Sequence, residues 1–114
     1  MTMLFLLLSL LQTTQAPAPT GNANSGKALY TKHTCYFCHG TEGQGGAAGA
    51  KVAVVGGNAQ GFIRYVRRPS GQMPAYSEKI LSDQELTDIF AYVRSLPAAK
   101  AVKDVPLLDQ LRPK

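Results

Sequence analysis

Apolar positions along the chain fall into four blocks of different spacing. The first, Leu4-Phe5-Leu6-Leu7-Leu8-Ser9-Leu10-Leu11, is nearly continuous and is followed by the polar stretch Gln12-Thr13-Thr14-Gln15-Ala16. The second is short and helical in period: Asn24 or Ser25 caps a helix whose apolar side is Ala28, Leu29 and Tyr30 and which runs to about Lys32. The third starts after a cap at Asn58 and runs through Arg67, with Phe62, Ile63 and Val66 as its inner stripe and Pro69 to stop it. The fourth opens on Ser82-Asp83-Gln84-Glu85, a capping box in which the Ser hydroxyl and the Glu carboxylate each satisfy the other's free backbone amide. Leu86, Ile89, Phe90 and Val93 follow at helical spacing, and Pro97 lies beyond the end. Between the second and third blocks, Gly40 to Gly57 holds seven glycines and hardly a periodic apolar signal, so it reads as loop. Three amphipathic helices joined by turn-rich connections predict an all-α domain.

The first block is too short to cross a hydrocarbon core, which takes about 20 apolar residues. A polar stretch ending in a small residue suits a peptidase, so residues 1–16 read as a secretory signal cleaved near Ala16, and the protein as exported to the periplasm. No Lys or Arg precedes the apolar run, which leaves an uncleaved membrane anchor as the rival reading; no cysteine lies near Ala16 to carry a lipid. Residues 17–23, rich in Pro and Gly, read as a flexible linker, residues 24–96 as the domain, and residues 97–114 as an extension with three prolines and mixed charge. Within that extension Val105 to Leu111 lies along the surface or forms a short helical turn.

At 114 residues the chain is of single-domain length, and once the signal is removed the remainder is small enough that apolar burial alone is marginal and an internal staple is expected. The formal charge is +5, none of it in the first block. A basic surface steers encounter with an acidic protein partner or an anionic membrane. Nucleic acid is a poor match, because there is no basic helix and the aromatics do not interleave with a Lys/Arg stripe. The glycine-rich loop is no phosphate cradle either, since no strand precedes it and no Lys-Ser/Thr pair comes after it. Glu42, Glu78 and Asp88 are scattered, nothing resembles a general acid/base pair, and the chain reads as a non-enzyme.

The chemistry is concentrated in Cys35-Tyr36-Phe37-Cys38-His39, which holds both cysteines and one of the two histidines. CxxCH is the pattern of c-type haem attachment. Two thiols three positions apart lie on one side of a helical turn, so both can form thioethers along one haem edge, and His39 can reach the iron. A second axial ligand can come from Met73, the one methionine outside the signal, in the turn-rich Gly71-Gln72-Met73-Pro74-Ala75-Tyr76. A blander role for Met73 is core filler, although Gly71 and Pro74 hold the kind of irregular turn that presents a ligand. His33 competes as distal ligand, but it stands two residues before Cys35 on the attachment side. For the cysteines the blander reading is a structural or redox disulfide, set against a chain without the strand, helix, strand context of that motif. Zinc would need four closing ligands, and only His33 is left over.

From about Asn24 to Leu96 the chain resembles the small monohaem class I cytochromes c: a helix before CxxCH, a downstream Met-Pro loop, and a last helix with Ala91-Tyr92-Val93. The resemblance implies one covalently bound haem c held by Cys35 and Cys38, iron between His39 and Met73, and one-electron transfer to and from redox proteins with an acidic docking surface. It also implies that the first and last helices cross with Gly26 and Tyr30 against Ile89 and Tyr92. The family's usual proline, whose carbonyl orients the proximal His, is replaced here by Ala50; a carbonyl remains available for the His39 ring N–H, with less stiffness behind it. Val52, Val54 and Val55 are candidates for an apolar haem wall or an ordinary extended segment. Arg64, Arg67 and Arg68 either bond a haem propionate, with Arg64 and Arg67 the candidates, or form a solvated docking face. Tyr65 and Gln72 are weaker candidates for haem contact. Three functions are open on this reading: an electron carrier, free or as the cytochrome subunit of a dehydrogenase or oxidase; an open-site haem protein taking small ligands or peroxide; and a haem-free dithiol module.

Overall fold

The computed structural model describes residues 19–113. The signal reading of residues 1–16 lies outside them. Five α-helices succeed one another, α1 Ala23–Lys32, α2 Cys35–His39, α3 Ala59–Arg67, α4 Asp83–Ser95 and α5 Pro106–Gln110, with a short 3-10 turn at Val102–Asp104. No strand occurs among the described residues; a lone bridge joins Gly46 and Gly49. The architecture is all-α.

Helix α1 starts earlier than the pattern predicts. Asn22, not Asn24 or Ser25, is its cap, with the side-chain oxygen accepting from Ser25 N at 3.0 Å. Tertiary bonds make the choice: Asn22 N donates to Asp88 Oδ1 at 2.8 Å, and Gln84 Nε2 reaches both Asp88 Oδ1 and, at 3.4 Å, Thr20 O. Thr20 to Asn22 is therefore strapped to α4 rather than free as a linker over 17–23. Ala28 faces solvent, and the buried residues of α1 are Gly26 and Tyr30.

These two residues set the crossing of α1 with α4. A methyl group on Gly26 would run into the Asp88 carbonyl and Tyr92 Cβ, so only glycine lets the two backbones come this close. One turn on, the rings of Tyr30 and Tyr92 meet edge to face with centroids 5.4 Å apart. Ile89 lies in the same core as Tyr30 and Tyr92, and the Asp88 backbone carbonyl makes the closest approach to Gly26.

Helix α3 is capped by Asn58, whose side chain accepts from Gly61 N at 2.9 Å. Ile63 and Val66 enter a core shared with Leu81, Leu86, Ile89, Val93 and Leu96, and Phe62 leans on Phe90 at 5.5 Å. The capping box of α4 is complete: Glu85 N donates to Ser82 Oγ at 3.2 Å and Ser82 N to Glu85 Oε2 at 2.8 Å. The bond from the Ser82 N–H to the ionised carboxylate, with the Ser82 side chain adding to it, holds Glu85 below its usual pKa. The glycine-rich loop folds on itself through Gly45 N→His39 O at 2.7 Å and through Val52 N and Ala53 N, which both donate to Gly43 O. Beyond α4, the 3-10 turn and α5 pack on each other and on no other element, with Leu107, Leu108 and Leu111 exposed.

Candidate functional site

The site is built where α1 stops. His33 N and Thr34 N close the last turn of α1 onto Leu29 O and Thr31 O, and Phe37 N then donates to Thr34 O to begin α2. Thr34 sits at φ +56°, a left-handed conformation that a β-branched residue adopts only under strain. That bend lets a five-residue helix follow α1 in a new direction. Tyr30 Oη fixes the far end of α2 by donating to Gly40 O at 2.7 Å, so the α1/α4 crossing also holds the attachment turn.

Cys35 and Cys38 are free thiols on this turn. Cys35 is half-buried against the core; burial pushes its pKa up, nearby Cys38 adds to that, and a backbone hydrogen bond opposes it. Cys38 is exposed, and between the two cysteines Tyr36 is partly open and Phe37 stands 81% exposed. The turn therefore presents both sulfurs from one short helix whose outer side meets solvent.

His39 Nδ1 lies 2.6 Å from Ala50 O. A carbonyl can only accept, so Nδ1 carries the proton, and in the neutral ring Nε2 is left with a free lone pair for a metal. Gly49 makes this approach possible. A Cβ there would stand 2.8 Å from Cys38 O, closer than side chains pack, and would push Ala50 away from the ring. Nothing in the local pattern singles out Gly49, because its constraint comes from α2 across the loop.

Met73 lies half-buried against the core in the irregular segment between α3 and α4, together with Cys35, Val52, Val55 and Tyr76. Val54 differs from its neighbours: it is half exposed and left-handed at φ +58°, with its N–H donating to Val93 O at 2.9 Å. The segment carrying Met73 is bonded to α3 through Tyr76 N→Val66 O at 3.2 Å. Burial first, then the adjacent Cys35 and Cys38, raise the Tyr76 phenol above its ordinary pKa. Cys35, Met73 and Tyr76 thus pack against the same core, and Tyr76 is a residue the sequence pattern does not mark.

Of the arginines, Arg67 makes two bonds within the protein. Its guanidinium donates to Tyr76 O at 2.9 Å and pairs with Asp83 Oδ1 at 2.6 Å. The local sequence cannot show this, since Asp83 comes from the start of the next long helix. Arg64 and Arg68 are exposed and line an open cleft with Ile63, Glu78 and Asp83. Tyr65 Oη shares a hydrogen bond with Ser70 Oγ at 3.0 Å, and Gln72 is exposed. His33 caps α1, and its Nε2 is buried without a hydrogen-bond partner. Among the described residues no three His, Cys, Asp or Glu side chains converge as a closed metal site, and no helix is long and apolar enough to cross a membrane.

The donor set fits a haem. Two unpaired thiols at the attachment spacing, an imidazole whose second nitrogen is fixed by a carbonyl, and a half-buried thioether are four groups with no other partner. A family model described as "Cytochrome C oxidase, cbb3-type, subunit III" matches residues 21–93, more than half of the chain. Comparison with curated proteins and with solved structures finds no match.

Proposed function

The chain belongs to the family described as cytochrome C oxidase, cbb3-type, subunit III, a class I c-type cytochrome domain with covalent haem c and an electron-transfer function, and from that premise we propose a one-electron carrier with His39 and Met73 as axial iron ligands. The bond from His39 Nδ1 to Ala50 O carries this reading, because it fixes the one tautomer that leaves Nε2 free to ligate. Bound haem supplies a ferric/ferrous couple, and the protein tunes it through ligand identity, burial and hydrogen bonding. Cys35 and Cys38 hold the ring edge through thioethers. Ala50 keeps the His39 proton on Nδ1 and adds basicity to the ligand; Met73 supplies a soft sulfur, which favours the ferrous state and a raised potential.

Electrons pass at the attachment turn, where Cys38 and Phe37 are exposed, to redox proteins whose acidic docking surface complements the +5 charge of the chain. The protein works after export to the periplasm, as c-type cytochrome domains typically do. Native size exclusion separates the two forms such a domain takes, a small free carrier or a subunit eluting with a larger oxidoreductase.

The test is the protein produced in a host with haem-attachment machinery. Intact mass should include one haem, and the ferric spectrum should carry the weak far-red band that this family has with methionine coordination. Met73→Ala should keep the haem mass and lose that band. A colourless protein with Cys35 and Cys38 unmodified would support the dithiol module instead. An unchanged spectrum in Met73→Ala would support an open-site haem.

A further inference from the structure

We infer that Arg67 is a positioning residue for the distal ligand: it clamps the Met73 segment at Tyr76 and ties that clamp to the start of α4. The inference rests on the proposed ligation by Met73. Its observations are separate from those that carry the His39 side.

The segment from Gly71 to Ala75 makes none of the backbone hydrogen bonds that join loops to the fold, and Gly71 is left-handed at φ +70°. It is an irregular stretch with little of its own to hold it. Immediately after it, both polar groups of the Tyr76 backbone are bonded to α3: the N–H donates to Val66 O at 3.2 Å and the carbonyl accepts from Arg67 at 2.9 Å. Earlier in the loop the one side-chain tie is Tyr65 Oη with Ser70 Oγ. Tyr76 is thus the downstream end of a short tether that begins at Ser70 and carries Met73 in its middle.

Arg67 is suited to hold that end. Its side chain is 17% exposed and its bond to Tyr76 O is partly buried, whereas the Asp83 side chain is 58% exposed, so the Tyr76 bond is the better shielded of the two; one guanidinium addresses two elements at once. The partner Asp83 is itself held in place at the first turn of α4, where the helix dipole favours a carboxylate and the Ser82 cap fixes the backbone. A lysine keeps the charge but offers a point donor in place of a planar fork, so it cannot span Tyr76 O and Asp83 together.

The experiment uses holoprotein with attached haem, comparing wild type with Arg67→Lys, Asp83→Asn and Met73→Ala. Two readouts are taken: hydrogen exchange of the Tyr76 N–H, which is bonded to Val66 O, and the affinity of the ferric form for added imidazole, which competes for the Met73 position. If Arg67 clamps the ligand segment, Arg67→Lys loses exchange protection at the Tyr76 N–H, the backbone donor that ties the tether to α3, and binds imidazole about tenfold more tightly, the loss of one charged hydrogen bond appearing as a larger open population. Asp83→Asn should move both readouts in the same direction and by less. The inference is overturned if exchange of the Tyr76 N–H is unchanged in Arg67→Lys. It is equally overturned if Met73→Ala shifts imidazole affinity and Arg67→Lys does not, since Arg67 would then support the fold without holding the ligand. Imidazole affinity that Met73→Ala fails to move sinks Met73 ligation itself, and the exchange readout still reports whether Arg67 holds the segment.

Discussion

Single residues at the site are constrained by partners far along the chain. Tyr30 is an example, because its hydroxyl donates to Gly40 O at the end of the attachment turn while its ring packs on Tyr92. Burial, with smaller contributions from Cys35 and Tyr92, pushes its pKa up to about 12 from an ordinary value of 10.0. The folded state thus holds the proton more tightly than the unfolded chain. Its contribution to stability is complete below pH 10, where neither form ionises, and is lost as pH climbs from about 10 to about 12. Tyr30→Phe should flatten the fall of stability across that window in a denaturant series read by circular dichroism. At neutral pH it should cost about 1 kcal/mol for the lost hydrogen bond. The cost stays at that low end because Gly40 O also accepts from Gly43 N at 3.1 Å. A slope unchanged between the two proteins would mean that Tyr30 ionises in the fold as it does in water.

At the scale of elements, the crossing of α1 on α4 is the contact on which the site depends, since it orients both the entry to α2 and the helix against which the Met73 segment is clamped. Gly26→Ala tests it with opposed expectations. Intrinsic helix propensity favours alanine by about 1 kcal/mol. The methyl group, however, would meet the Asp88 carbonyl, which is backbone and cannot swing aside. Overpacking of that kind costs about 1–3 kcal/mol in well-packed cores, so the steric term should win and the thermal midpoint should fall. A midpoint that holds or rises shows that the helices can part cheaply. The strap from Thr20 to Asn22 works at the same scale, adding a third run of chain to the α4 surface through Asn22 N→Asp88 Oδ1.

For the whole molecule, residues 20–96 form the folded unit and the last segment stands apart. The 3-10 turn and α5 pack only on each other, and Val102, Leu107, Leu108 and Leu111 are all substantially exposed. Deleting residues 102–114 should leave the haem spectrum unchanged and unfolding stability within about 0.5 kcal/mol, the usual range for changes away from packed or bonded features. A loss well beyond that in a chemical melt would place this segment in the fold after all. The positions of α3 and α4, both of their caps and the attachment turn are legible along the chain, because each arises from contacts within a few residues: an Asx or Ser cap, an i to i+4 stripe, two cysteines three apart. The alignment of Gly49 to Val52 with the family's proline segment points to the Ala50 carbonyl, but the close approach of Gly49 to Cys38 O that brings it to His39 is a contact across the loop. The tertiary structure alone decided that Asn22 caps α1, that the Asp88 backbone carbonyl comes within reach of Gly26, and that Arg67 bonds Tyr76 O and Asp83. Local periodicity fixes which face of a helix is apolar, whereas the partner of a polar side chain depends on which distant backbone and carboxylate the packing brings within about 3 Å of it.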